Sequence, residues 1–94
     1  MHNNLGVLLQ KLDKPNEAIK YLKQALAIMP DLKEAYNNLG NILKEQGNSA
    51  EAISSYKKAI SIEPDYIDAH NNLGSVFYEL DRLEEAAESY KKAL

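Results

Sequence analysis

The residues Asn-Asn-Leu-Gly stand at positions 3–6, again at 37–40 and again at 71–74, so the chain repeats itself with a period of 34. No other feature restricts its fold as strongly. A unit of this length recurring at one fixed offset is a small supersecondary element that cannot bury its apolar face alone, and stacking of neighbouring units supplies the missing core. Other columns keep the same step: Ala18, Ala52 and Ala86, then Ala25, Ala59 and Ala93, then Pro30 and Pro64. Aligned this way, residues 1–32 are a unit lacking its first two positions, 33–66 a complete unit, and 67–94 a unit lacking its last six. The chain reads as one array cut from something longer.

Within a unit, the apolar residues recur at helical spacing. Tyr36, Leu39, Ile42 and Leu43 share one face of a first helix, and Ala52, Ile53, Tyr56, Ala59 and Ile60 share one face of a second. Three units therefore predict six helices in antiparallel pairs. The turn inside each pair needs a residue at positive φ, which Gly47 adopts freely and Asp13 and Asp81 tolerate better than most side chains. Pro15 fits the opening turn of the second helix in the first unit. Pro30 and Pro64 end their units because proline cannot extend a helix, and Asp31 and Asp65 are expected to cap the helices that follow, with Glu34 and Asp68 three residues on. Gly6, Gly40 and Gly74 fall inside helices, where glycine costs ~1 kcal/mol relative to alanine, so a close helix contact is expected at each. Tyr56 and Tyr90 are expected to fill gaps between layers.

These columns carry a family resemblance. Tyr36, Leu39, Gly40, Leu43, Ala52, Tyr56, Ala59 and Pro64 of the middle unit match the 34-residue pattern of the tetratricopeptide repeat, and the chain resembles that family throughout. The third unit supplies His70, Leu73, Gly74, Phe77, Ala86, Tyr90 and Ala93, and the first His2, Leu5, Gly6, Leu9, Ala18, Leu22, Ala25 and Pro30. Departures are mild: histidine at two bulky positions, Leu22 for the aromatic, and aspartate for glycine in two turns. The resemblance implies an all-α, right-handed α-solenoid whose first helices line a concave groove, and a protein-protein interaction scaffold that binds an extended peptide there.

Composition narrows the function classes. The net charge of −3 argues against nucleic acid as partner, since phosphate binding needs clustered lysine and arginine on one face. Lys57, Lys58, Lys91 and Lys92 read as a solvated outer face. No apolar run is long enough to cross a membrane. The absence of cysteine excludes a disulfide framework and a thiolate metal site, and is compatible with a reducing, cytoplasmic setting. No catalytic constellation, cofactor motif or metal site is expected: His2 and His70 occupy one column two units apart and cannot converge on one metal or proton, and no phosphate-cradling glycine loop exists.

The candidate site is the polar stripe of the first helices. At ~100° per residue, Glu34, Asn38, Asn41 and Glu45 fall on one line facing away from the core residues. Their counterparts are Asp68, Asn72, Ser75 and Glu79 in the third unit and Asn4, Val7 and Lys11 in the first. Asn4, Asn38 and Asn72 form a column, flanked by Asn3, Asn37 and Asn71. Asparagine is only a middling helix former, whereas its amide offers the donor and acceptor needed to read a peptide group. Tethering of neighbouring helices and plain solvation of the surface are the alternative uses of the same amides. The ladder is similar to the asparagine groove of the O-linked N-acetylglucosamine transferase superhelix, and that resemblance implies a third role, a substrate-recruiting arm of a larger enzyme.

Charge refines the expected ligand. Glu34, Glu45, Asp68 and Glu79 outnumber Lys11 and Lys44, favouring neutral or basic peptides. Tyr78, beside the stripe, can stack on an aromatic or basic side chain. The carboxylate clamp by which related co-chaperones hold chaperone tails is not matched: Asn3, Val7, Asp68 and Asn72 stand where it needs other residues, and only Asn38 fits. A second expectation concerns the ends. Leu94 and Ala87, analogues of Ile60 and Ile53, mark where a further unit would sit, so end-to-end association into a homo-oligomer is expected through these faces.

Overall fold

The computed structural model describes residues 14–94. These residues form α1 (Pro15–Ile28), α2 (Lys33–Glu45), α3 (Ser49–Ile62), α4 (Ile67–Glu79) and α5 (Leu83–Ala93), with no strand among them. The fold is all-α, as expected. The sixth expected helix, with Gly6 and the turn at Asp13, lies outside the described residues. Pro15 opens α1 at its first turn, where the N–H that proline lacks would have had no helical partner.

Both hairpins whose turns fall among the described residues are closed by the same backbone device. After α2, Gly47 takes φ 81°, its N–H bonds the Lys44 carbonyl at 3.0 Å, and the Asn48 N–H bonds the Leu43 carbonyl at 2.8 Å. After α4, Asp81 takes φ 60° and Arg82 reaches back to the Phe77 carbonyl at 2.8 Å. This is the Schellman arrangement, which satisfies the last carbonyls of the helix and reverses the chain. The side-chain contact that accompanies it is the Arg82 guanidinium, 4.7 Å from the centre of the Phe77 ring.

Successive hairpins are joined differently. Met29-Pro30-Asp31-Leu32 and Glu63-Pro64-Asp65-Tyr66 are four-residue turns with proline second, closed by Leu32 N–H to Met29 O at 3.2 Å and Tyr66 N–H to Glu63 O at 3.0 Å. This corrects the expected caps. Asp31 and Asp65 are held within the turns, the N-caps are Leu32 and Tyr66, and neither helix has a side-chain cap bond. Glu34 and Asp68, in the first turns, are left to complement the helix dipoles.

Packing follows the columns. α2 pairs with α3 and α4 with α5, α3 meets α4, α1 lies against α2, and α2 touches α4. The core gathers Leu22, Ile42, Tyr56 and Val76, all within a percent of complete burial, around Ala18, Ala35, Ala52 and Ala69. A Cβ placed on Gly40 would stand 2.6 Å from the Tyr56 ring, and one on Gly74 2.8 Å from the Tyr90 ring. The tyrosines therefore pack first across their own hairpin, each ring lying where a side chain is missing, rather than solely between layers.

Gly40→Ala should lower the stability of the fold. Overpacking costs ~1–3 kcal/mol, and the gain in helix propensity returns only ~1 kcal/mol of it. Gly74→Ala should cost clearly less, because Tyr90 is 40% exposed and can swing away whereas Tyr56 is 0% exposed. Urea unfolding of the two variants checks this, and equal losses would show that the ring contact is not the cause.

Candidate functional site

α2 and α4 occupy equivalent places in successive units and bring their polar stripes side by side. Glu34 and Glu45 stand exposed at opposite ends of α2, with Asn38 and Asn41 half-buried between them. On α4, Asp68 and Asn71 are exposed, Asn72 and Ser75 half-buried, and Tyr78 and Glu79 exposed near the C-terminal end. Asn4 and the rest of the first unit's stripe lie outside the described residues.

Several of these side chains bond one another across the joint between units. The Asn72 Nδ2 donates to Asn37 Oδ1 at 3.0 Å, which accounts for the burial of Asn37 at 7% exposure. Asn37 thus sits beneath the stripe rather than at its flank, because the neighbouring helix covers it. Lys44 donates to Ser75 Oγ at 2.9 Å and lies 3.6 Å from a Glu79 carboxylate oxygen. Asn41 is engaged within its own hairpin, accepting from the Tyr56 hydroxyl at 2.5 Å. The sequence column named these asparagines without revealing their pairings. A clue was available in the identical 34-residue offset of Asn38 and Asn72, which puts Asn37 and Asn72 diagonally opposite on adjacent helices.

The field along the stripe is acidic. Burial raises the Tyr56 phenol well above its ordinary value, and Glu45 and Glu79 push it further. The Tyr66 phenol is raised too, by burial first and then by Glu34, Asp68 and Glu63. Beside it, Lys33 bonds Glu63, a contact that raises the lysine's pKa, and its ammonium lies 5.3 Å from the Tyr66 ring centre. Among the described residues no cluster of three or more His, Cys, Asp or Glu could hold a metal ion. No helix there is long and apolar enough to cross a membrane.

Family models for the tetratricopeptide repeat match residues 1–32 and 21–54, and a further model for the same repeat matches 40–81. The chain belongs to the tetratricopeptide repeat family. Its hairpins form the right-handed α-solenoid of that family. Among solved structures, MamA is similar over 98% of this chain at 32% identity with a TM-score of 0.94, and a second MamA structure over 99% at 32% with 0.93. The chain covers 54% and 51% of those two, so it spans about half their length. The first tetratricopeptide domain of Spaghetti (RPAP3), bound to the HSP90 peptide SRMEEVD, is similar over 99% of this chain and 76% of that one, at 24% identity and a TM-score of 0.95. At that identity the likeness speaks for the fold. A search of curated proteins finds no match.

The tetratricopeptide tyrosine at position 56 makes the fold sensitive to alkali. Below pH ~10 its phenol is protonated in both states and its contribution is constant. Above that, the unfolded chain releases a proton the folded chain retains, so stability falls as pH rises. Tyr56→Phe should cost ~1 kcal/mol at neutral pH through the lost bond to Asn41, and the gap to wild type should narrow above pH ~10. Urea unfolding at pH 7 and pH 11 measures both, and a gap that stays constant would refute the account.

Proposed function

We propose that this tetratricopeptide chain is a protein-interaction scaffold, with no chemistry of its own, whose concave groove holds an extended peptide of neutral or basic character. In this reading the units 1–32, 33–66 and 67–94 each contribute one inner helix to the groove, and the setting is cytoplasmic. The observation that carries it is the exposed acidic set Glu34, Glu45 and Asp68, lying beside Asn38 and Asn72 on adjacent inner helices. Inner helices packed roughly 10 Å apart meet a strand advancing ~3.3 Å per residue about once every three residues. The bond from Asn72 to Asn37 supports the reading, because it uses one amide hydrogen, holds the side chain in place and leaves the Asn72 carbonyl to accept from a peptide N–H. Each such contact contributes ~0.5–1.5 kcal/mol, so a short array binds weakly and a longer one usefully.

Electrostatics separates this groove from that of the RPAP3 domain, whose bound peptide SRMEEVD is acidic toward its end. Lys44 offsets Glu79, but Glu34, Glu45 and Asp68 have no such bridge among the contacts described. A second reading is self-association. Tyr90 and Leu94 are exposed at 40% and 103%, while Tyr56 and Ile60, their counterparts one unit earlier, are buried and half-buried against the next hairpin. Another copy of the array would cover them in the same way.

Fluorescence anisotropy with labelled extended peptides of basic, neutral and acidic sequence tests the groove. Binding should follow that order, with SRMEEVD the weakest, and Glu34→Lys/Asp68→Lys should reverse it. Asn38→Ala/Asn72→Ala should weaken every peptide at least several-fold while circular dichroism shows a folded chain. Binding that ignores both double variants would sink the groove reading. Mass that rises with concentration, and stops rising in Tyr90→Glu/Leu94→Glu, would instead establish stacking.

A further inference from the structure

On the outer side of the joint between the second and third units lies a cavity of about 190 Å³, lined by Ile60, His70, Leu73 and Ser89, with Lys57, Lys92 and Glu88 at its edge. His70, Leu73 and Ser89 are buried, Ile60 is half-buried, and the three charged residues are exposed. The His70 Nε2 lies 2.7 Å from the Pro64 carbonyl oxygen. A carbonyl can only accept, so Nε2 carries the proton, and the ring is held by the turn that joins the units.

The repeat supplies its own comparison. Moving each lining residue back by 34 gives Lys23, Leu26, Tyr36, Leu39, Ser54, Ser55 and Lys58 at the preceding joint. There the column holds a tyrosine ring instead of the smaller histidine, and the Lys58 ammonium lies 5.7 Å from the centre of that ring. Lys92 is the counterpart of Lys58. The third unit thus keeps the cation and the apolar floor, and lacks the phenol that goes with them. A cavity of ~150 Å³ lined by apolar side chains is enough to take a benzene ring.

We propose that this pocket is an anchor site for one aromatic side chain, tyrosine or phenylalanine, of a partner protein that docks on the outer face, with an acidic residue beside it. The ring rests on Ile60 and Leu73 and lies near Lys92, as Tyr36 lies near Lys58. Lys57 and Lys92 outweigh Glu88 at the edge, which sets the preference for an acidic neighbour. The site is separate from the inner groove and does not depend on how that groove is used. A single anchor of this size, with an exposed charged edge, gives a Kd on the order of a millimolar by itself, so a natural partner needs further contacts.

Three N-acetylated, C-amidated dipeptides, tyrosyl-glutamate, tyrosyl-lysine and leucyl-glutamate, titrated into the folded chain and followed by amide chemical shifts, test the proposal. Tyrosyl-glutamate should produce saturable shifts centred on His70, Leu73 and Ser89, and the other two should bind at least several-fold more weakly. His70→Tyr, which restores the ring of the preceding joint, should abolish the shifts while leaving inner-groove binding unchanged. Lys57→Glu/Lys92→Glu, confined to exposed side chains, should reverse the preference between the two tyrosyl dipeptides. Absence of saturable shifts in the wild type, equal binding of the leucyl dipeptide, or unchanged binding in both variants would each overturn it.

Discussion

Everything in this structure depends on how closely two helices of one hairpin approach. The Tyr56 ring lies over Gly40, and the Tyr90 ring over Gly74, at separations that leave no room for a methyl group. Glycine weakens a helix by ~1 kcal/mol, yet here it lets a whole aromatic ring go below the surface, and complete burial of a large apolar side chain is worth ~1.5–3 kcal/mol. The exchange is favourable for Tyr56, which is fully buried, and less so for Tyr90, which is 40% exposed. The same contact fixes the phase of α2 against α3. Once that phase is set, Leu39 and Leu43 must face inward, and Asn38 and Glu45 must face the other way.

The joint between units depends on polar contacts as well as apolar ones. Asn72 with Asn37, and Lys44 with Ser75 and Glu79, cross from the second unit to the third, while Lys33 with Glu63 ties the two ends of the second unit together. Singly, exposed ion pairs contribute little, at most ~1 kcal/mol. Their value lies in direction. A hydrogen bond holds only over a narrow range of distance and angle, whereas apolar packing alone tolerates some sliding between stacked hairpins. Both crossings involve residues of the candidate groove, so the side chains that define its surface also help to set its curvature. In the proposed groove, a ligand that engaged Asn72 or Lys44 would therefore also act on the spacing of the units.

The sequence made the fold legible because the repeat states each local rule more than once. The pairing of the described helices, the positive φ at Gly47 and Asp81, and the close contacts at Gly40 and Gly74 all follow from single columns. The caps differ from the pattern for an identifiable reason: Pro-Asp looks like a helix start, but the proline turn holds Asp31 and Asp65 back and Leu32 and Tyr66 take the cap position. The candidate stripe was readable as a line of positions. Its pairings were not, since periodicity gives the facing of a side chain and not its partner across a joint. Asn37 and Asn72 differ by 35 residues, Lys44 and Ser75 by 31, and neither pair shares a column.

Departures from the repeat are therefore the places to look for what distinguishes this array from any other with the same fold. Columns that do not change, such as Ala18, Ala52 and Ala86, hold the stack together and say nothing about partners. Columns that change without structural need are different. Tyr36 becomes His70, Asn41 becomes Ser75, and Lys44 becomes Tyr78. The first leaves space on the outer side, the second turns an acceptor for Tyr56 into one for Lys44, and the third removes a cation from the groove and exposes an aromatic ring at 65%. None of these is demanded by packing, because the parent residue already fits at the equivalent joint. Specificity in a repeat protein resides in such broken columns, and in this chain they fall on both faces of the same joint.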